Sequence, residues 1–424
     1  MSFFMLMALA SCSDDSPAIS IPLQPKNVLF VIVDDMGTDA TPGYSIGTTK
    51  PHTPTLESLA DEGITYTNAW ASPTCTPTRA AMLTGHHGFD TQVLDVGDYI
   101  SPSEVIIHKY ISNQLGGSYS QALIGKWHLG SNTSHPNAMG VDYYAGVISG
   151  SVPDYYNWRF NDNGSNSMIQ DYTTSKFTDL AIDWIGQQDQ PWFLWLAYNA
   201  PHTPFHLPPD SLHYQGSLPT DSASIAGNPT PYYHAMIEAV DTELGRLLSS
   251  MDAAERDNTL IIFIGDNGTS REVAQGFNSA RCKGTLYQGG VNVPLIVSGA
   301  GVTRKNQTEA SLVSATDVFA TLAEAVGETS GIPEDSHSFY STFTSAGSGN
   351  RNYSFVDYST MGAFAIRNET HKYILFDDGT EALYDLSINP LENPNLLNPN
   401  QQPISPENAA QLTALKNAAD SIQP

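Results

Sequence analysis

Four oxygen-bearing side chains stand where two apolar runs end: Asp34 and Asp35 after Val28 to Val33, and Asp266 and Asn267 after Thr259 to Ile264. Hard oxygen donors with an amide among them suit Ca2+, less comfortably Mg2+, and argue against zinc on softness. Taken alone, an Asp-Asp pair more often caps a helix or sits in a solvated turn. Two such clusters closing two apolar runs reverse that weighting. Basic side chains come next. Lys126 and His128 lie two apart after the run Gln121 to Ile124, so an extended segment points both to one face. His202 falls beyond the run Trp192 to Ala197, with His206 nearby as a loop residue, and Lys283 opens a stretch that reaches Pro294. Cys75 begins the run Cys75-Thr76-Pro77-Thr78-Arg79-Ala80-Ala81-Met82-Leu83-Thr84-Gly85. Pro77 suits a first helical turn and Arg79 to Leu83 are good helix formers. A group at the start of that helix meets free backbone N–H groups, which favour an anion.

The elements that must carry these residues are legible as alternating patterns. Val28 to Val33 is unbroken, apolar and rich in β-branched residues, as in a strand buried on both faces of a parallel sheet. Thr259 to Ile264 and Trp192 to Ala197 have the same form, and Val293 to Val297 reads as a further strand. Between them lie helical patterns at Thr55 to Glu62, Thr76 to Leu83, Ser175 to Gln187, Tyr232 to Met251 and Ala315 to Val326. Strands alternating with helices predict an α/β fold with a doubly wound, mostly parallel sheet. Ligands of such sheets sit beyond the carboxyl ends of the strands, where the acids and histidines fall. After Val326 the composition turns to Gly, Ser and Thr through about Asn350, the pattern of a linker or exposed loop between domains. Beyond it, Tyr353 to Tyr358, Gly362 to Arg367 and His371 to Asp377 predict a small antiparallel sheet, closed by a helix at Glu407 to Ile422. The expected division is a leader over 1–11, a tether over 12–25, a catalytic domain over 26–330 and a C-terminal α+β subdomain over 331–424. The chain carries no internal repeat.

Composition narrows the function. With 424 residues, 15% charged and 40% apolar, the chain is a folded, loop-rich protein of more than one core. Its 44 acidic against 18 basic side chains give a formal charge of −26, which excludes nucleic acid as a partner because no basic stripe exists to neutralise phosphates. A polyanionic ligand would be repelled at long range, although at roughly 1 M salt the screening length falls to about 3 Å. That points to a saline habitat or to a small or terminal anionic substrate. Cys12, Cys75 and Cys282 are too few and scattered for a disulfide framework. Phe3 to Leu9 is apolar but too short to span a bilayer, and it leads into Leu9-Ala10-Ser11-Cys12, which resembles a bacterial lipoprotein signal. No Lys or Arg precedes that run, a departure from the usual pattern. Lipidation of Cys12 implies passage across the inner membrane and a periplasmic or outer-membrane location. Ser13-Asp14-Asp15 resembles a surface-export tag, and Ser13 to Gln24 forms a polar leash. The anchor is the one membrane contact expected.

The run from Cys75 to Gly85, Gly125-Lys126-Trp127-His128-Leu129-Gly130, Pro201-His202-Thr203-Pro204 and the stretch from Lys283 to Pro294 occur in an order that resembles the type I sulfatases. The resemblance spans roughly Asn27 to Val326 and returns weakly at Ala382-Leu383-Tyr384-Asp385-Leu386, with Asn389-Pro390 and Glu392 after it. It implies an alkaline-phosphatase-like fold and oxidation of Cys75 to formylglycine by a maturation enzyme. It further implies a metal held by Asp34, Asp35, Asp266, Asn267 and the modified Cys75. Arg79, Lys126 and Lys283 would offset the charge of a sulfate ester. His202 or Lys283 would protonate the leaving alcohol, and His128 would deprotonate the second hydroxyl of the aldehyde hydrate so that sulfate is released. A sulfated carbohydrate or an aryl sulfate is the implied substrate. Gln288 and Asn292 stand where the family carries Glu and Arg, a paired loss of opposite charges expected to spare Lys283, and Cys282 stands where Gly is common. The rival expectations are a phosphodiesterase or phosphonate hydrolase of the same superfamily, and a non-catalytic lipoprotein that binds sulfated glycans. Specificity is expected in the loops Asn132 to Asn157 and Leu207 to Asn228. Of the aromatics there and nearby, Tyr143, Tyr144, Tyr155, Tyr156 and Trp158, most are expected simply to pack.

Overall fold

Every residue of Asn27–Val33 is buried, as a strand between two helical layers requires. It pairs in parallel with Trp192–Ala197 on one side and Thr259–Gly265 on the other. The computed structural model describes residues 27–358 and 362–423. The expected leader, the tether and Cys12 lie outside them. Among the described residues the large sheet has eleven strands. Its order is Gln307–Glu309, Ile64–Trp70, Asn292–Gly299, Thr259–Gly265, Asn27–Val33, Trp192–Ala197, Ser120–Lys126, Tyr143–Val147, Trp158–Asp162 and Ser165–Ile169, with Val313–Ser314 also on Ile64–Trp70. From Thr259–Gly265 to Tyr143–Val147 neighbouring strands run parallel.

The two-residue period of the central strand divides the core. Val28, Phe30 and Ile32 pack with Met82, Ile107 and Phe319 on one face, while Leu29, Val31 and Val33 pack with Leu56, Phe177 and Tyr233 on the other. Helices Cys75–Thr84, Ile107–Leu115 and Asp317–Ala325 therefore cover the first face. Pro54–Asp61, Thr173–Ile185 and Thr230–Ser250 cover the second. This is the doubly wound, mostly parallel α/β sheet that the alternating pattern predicts. Asn292–Gly299 departs from it by running antiparallel to both neighbours. Ser165–Ile169 escapes any apolar pattern because four of its five residues are exposed. Its register comes from the turn at Asn163 and Gly164, both at positive φ, the geometry that matches hairpin twist.

The stretch expected as a linker or exposed loop after Val326 is neither along its whole length. Phe339 and Phe343 enter the main core, and the Tyr66 hydroxyl meets Thr342 Oγ1 at 2.5 Å. Two aromatics four residues apart carry no period by themselves, so composition hides their burial. The small sheet runs Ser354–Tyr358, Ala363–Arg367, His371–Leu375, Glu381–Asp385, antiparallel throughout. Phe364, Ile366 and Tyr373 face Leu415 and Ala419 of helix Pro406–Ile422, whereas Ala363, Ala365 and Ile374 pack on Trp70 and Val291 of the large domain. Tyr144, Tyr155 and Trp158 are core residues, and Tyr156 is exposed. No helix among the described residues is long and apolar enough to cross a membrane. Replacing Phe343 with Ala is expected to cost about 3–5 kcal/mol of unfolding free energy. Urea unfolding reads this directly, and a cost near zero would fit an exposed linker instead.

Candidate active site

Parallel register brings the acids together. Val33 lies opposite Gly265, so Asp34 and Asp266 leave adjacent strands side by side, and the Asp266 N–H donates to Val33 O at 3.2 Å. Asp35 turns back at φ 68°, where its N–H donates to Asp266 Oδ1 at 3.1 Å and its Oδ1 accepts from Asn267 Nδ2 at 2.8 Å. The Asp35 carbonyl accepts from the Tyr233 hydroxyl at 2.8 Å, which fixes that turn from the helix above. All four side chains are buried. Ser270 also donates to Asp35 Oδ2 at 3.1 Å, a contact that sequence reading missed although the residue lies four positions beyond Asp266.

Cations fill the gaps between the acids. Lys126 Nζ donates to Asp34 Oδ2 at 2.6 Å, and Arg79 lays Nε and Nη2 on Asp266 Oδ2 at 3.1 and 2.7 Å. Arg79 Nη1 also donates to the Lys126 carbonyl at 3.1 Å, tying the helix to the strand end. Lys283 Nζ donates to Asp35 Oδ2 at 2.7 Å. His202 Nε2 lies 3.9 Å from Asp35 Oδ2 while its Nδ1 donates to Thr203 O at 2.7 Å. Lys126 and Arg79 are sealed in, whereas the side chains of Lys283 and His202 keep 20% and 18% exposure and so line the way in.

Cys75 is the first residue of a ten-residue helix that is buried at every position. Its Sγ lies 3.3 Å from His128 Nδ1, and it clusters with Asp34 and Asp266 with donor atoms within 4.8 Å of one another. His128, at φ 61°, presses its ring where Gly150 has no side chain; a Cβ there would lie 2.2 Å from Nε2. Burial, then the charges of Lys126 and Arg79, push the imidazole down to about 2, so it is neutral. Burial raises the Cys75 thiol, so as a thiol it is a poor nucleophile.

The donor set fits a hard divalent cation. Asp34 Oδ1 and Asn267 Oδ1 are buried without hydrogen-bond partners, although the opposite atoms of the same side chains are satisfied. Burial, then the Asp34 charge, pushes Asp266 up to about 6, the response of a carboxyl crowded by its own kind. A bound cation would reverse that response. Asp34 goes the other way: burial opposes ionisation, but Lys126 and His202 overcome it and hold the carboxyl well below the usual range. Every residue that the sequence marked as catalytic or metal-ligating falls within this one cluster. His206 stays outside it, against Tyr172. Gln288 accepts from Trp70 Nε1 at 3.0 Å, Asn292 donates to Thr67 O at 3.3 Å, and Lys283 still reaches Asp35. Cys282 is a buried thiol, its Sγ 3.3 Å from Asn278 O.

The sequence model of the family described as Sulfatase matches residues 26–328. The chain belongs to the sulfatase family. It is 28% identical over 382 residues to an uncharacterized sulfatase, YdeN, of Escherichia coli K12, covering 76% of this chain and 66% of that one. Against human N-acetylgalactosamine-6-sulfatase it is 28% identical over 348 residues, covering 72% and 63%. The matched region thus spans about two thirds of the length of these relatives or slightly less. The sulfatase PsFucS1 of Pseudoalteromonas sp. superposes with a TM-score of 0.73 at 22% identity, covering 95% and 91% of the two chains. BT4656, solved with its substrate D-glucosamine-2-N,6-O-disulfate, gives 0.74 at 19% identity, covering 94% and 98%. Both likenesses establish the fold. Calcium or magnesium titrated calorimetrically into chelator-treated protein should bind at one site, and Asp266→Asn should weaken binding by about 10-fold or more. Unaltered affinity in that variant would remove the metal from this cluster.

Proposed function

We propose that this protein hydrolyses a sulfate monoester, of a sulfated carbohydrate or an aryl alcohol, to the free alcohol and inorganic sulfate. The observation that carries the proposal is the position of Cys75, at the start of a buried helix, against both the acid cluster and His128. Sulfatase family membership supports the chemistry. Ca2+ is the cation that the oxygen-and-amide donor set suits best, and it would supply Lewis acidity. Formylglycine at position 75, made by a separate maturation enzyme, would supply a hydrated aldehyde in place of a thiol whose ionisation burial opposes.

The rest is work for the chain's own side chains. A sulfate ester carries negative charge that resists an incoming nucleophile, so fixed positive charge must be in place beforehand. Arg79 and Lys126 provide it from the buried side, locked by Asp266 and Asp34, and Lys283 provides it from the open side. A hydrated aldehyde at position 75 would offer one hydroxyl to sulfur, which takes up the sulfuryl group as the S–O bond to the alcohol breaks, and a second hydroxyl whose proton His128 would accept so that sulfate leaves and the aldehyde is restored. The departing alcohol oxygen would take a proton from His202, whose Nδ1 is committed to Thr203 O and whose Nε2 lies 3.9 Å from Asp35 Oδ2. Burial alone would loosen the Lys283 proton, but Asp35 outweighs it and raises the pKa, so Lys283 serves as charge rather than as acid. A lipid on Cys12 would hold the enzyme outside the inner membrane, in the periplasm or at the outer membrane.

Cys75→Ser, made in a host that modifies only cysteine, should abolish multiple turnover, and mass analysis of the wild-type peptide should reveal the aldehyde. Steady turnover by the serine variant would contradict the scheme. The proton donor has a sharper test. His202→Ala should lose about 10²–10⁴-fold in kcat on a sugar sulfate and far less on nitrophenyl sulfate, whose phenolate leaves without help. Lys283→Ala should lose similarly on both, and the opposite pattern would exchange the two roles.

A further inference from the structure

A cavity of about 660 Å3 opens beside His128 and takes its walls from four separate segments, represented by Tyr99, Ser131, Ile148 and Met168. Its size suits one or two sugar rings. Tyr99 and Met168 expose 59% and 60% of their surface and offer the flat, apolar contact that a sugar ring needs. The lining is unusual for this chain. The sequence holds 44 acidic against 18 basic side chains, yet among the described residues the cavity wall contains no Asp or Glu and one guanidinium, Arg159. Arg159 lies on strand Trp158–Asp162, where alternation sends Trp158 and Phe160 into the core and leaves Arg159 and Asn161 on the cavity side. Arg246, Arg304 and Arg351 are each held by carboxylates. Arg159 is exposed and, among the described residues, has no hydrogen-bond or ion-pair partner.

We propose that this cavity receives the alcohol portion of the substrate, and that Arg159 binds a second anionic group on it. The inference rests on the hydrolytic reading above and extends it from one negative charge to two. His128 touches both Cys75 and the cavity, so whatever is attached to the reacting sulfate extends into this space. A planar fork of N–H donors suits a carboxylate or a further sulfate, and an unpaired one is ready for such a group without first breaking an ion pair. Exclusion of acids from the wall also answers the charge problem. A chain of net charge −26 can accept a dianionic sugar if the repelling side chains stand away from the site.

Three matched monosaccharide sulfates test this: one with no other charge, one with an added carboxylate, and one with an added sulfate. The wild-type protein should favour one of the doubly charged sugars in kcat/KM, and the arm it favours names the group. Arg159→Gln should lose about tenfold or more of that preference, chiefly through KM, with Arg159→Lys retaining part of it. Rising salt should erode the wild-type preference and leave the ratio in Arg159→Gln nearly level. Equal preference in wild type and Arg159→Gln, or a wild type indifferent to the added charge, overturns the inference. Calorimetric binding of the same sugars separates the two claims. Charge-dependent binding through Arg159 without hydrolysis keeps the inference and overturns the activity. Hydrolysis without an Arg159-dependent preference does the reverse.

Discussion

Burial of three carboxylates at the ends of two adjacent strands is the constraint that the rest of this site exists to satisfy. Carboxylates removed from water are costly to ionise and repel one another, and burial, then the Asp34 charge, pushes Asp266 up to about 6. Each acid is answered by its own cation: Asp34 by Lys126, Asp35 by Lys283, Asp266 by Arg79. The pairing is incomplete by design of the geometry, since Asp34 and Asn267 each keep one buried oxygen without a donor. Those two oxygens are what a divalent cation would use. Under the proposed reaction the cations would serve twice, because groups fixed to hold acids apart would also present preorganised positive charge to an anionic ester.

The basic side chains arrive from four different elements. Arg79 comes from the helix that Cys75 begins, Lys126 from a strand end, His202 from the turn after another strand, and Lys283 from a loop between sheet and subdomain. That loop is braced from the far side. Glu392 accepts Lys372 Nζ at 2.7 Å and the Gln288 N–H at 2.8 Å, while its carbonyl accepts Arg281 Nη1 at 2.7 Å. Lys372 is fully buried, and burial lowers its pKa to about 8 even against the pull of Glu392. Removing one partner of such a pair leaves a naked charge in the interior, which is why the small sheet acts as a support for Lys283 and not as an appendage.

How much of this was legible follows from whether a residue's neighbours in sequence are also its neighbours in space. The acids were readable because they terminate unbroken apolar runs, and strand pairing in register forces such termini together. Lys126 and His128 were readable from an interval of two. Ser270 and Tyr233 were not, because each reaches Asp35 through one hydrogen bond from an ordinary polar position. Phe339 and Phe343 were hidden for a related reason: in a stretch of Ser, Thr and Gly, two isolated aromatics give no period. The substitutions at Gln288 and Asn292 are expected from sequence to spare Lys283, and in space Gln288 accepts from Trp70, Asn292 donates to the Thr67 carbonyl, and Lys283 reaches Asp35.

Net charge was the most misleading quantity in the sequence, because it averages over surface that a substrate never meets. A value of −26 suggests a surface hostile to anions, and at long range it is one. Within the site that excess is absent. The buried acids there are each paired, and the adjoining cavity wall, among the described residues, presents a guanidinium and no carboxylate. Field at short range is set by the few unscreened groups within a Debye length, so a local excess of one positive charge outweighs a distant excess of many negative ones. The acidic surface and a cavity free of acids are therefore compatible. The surface governs how often an anionic ligand arrives and how that frequency varies with salt, and the site governs what happens once it is inside.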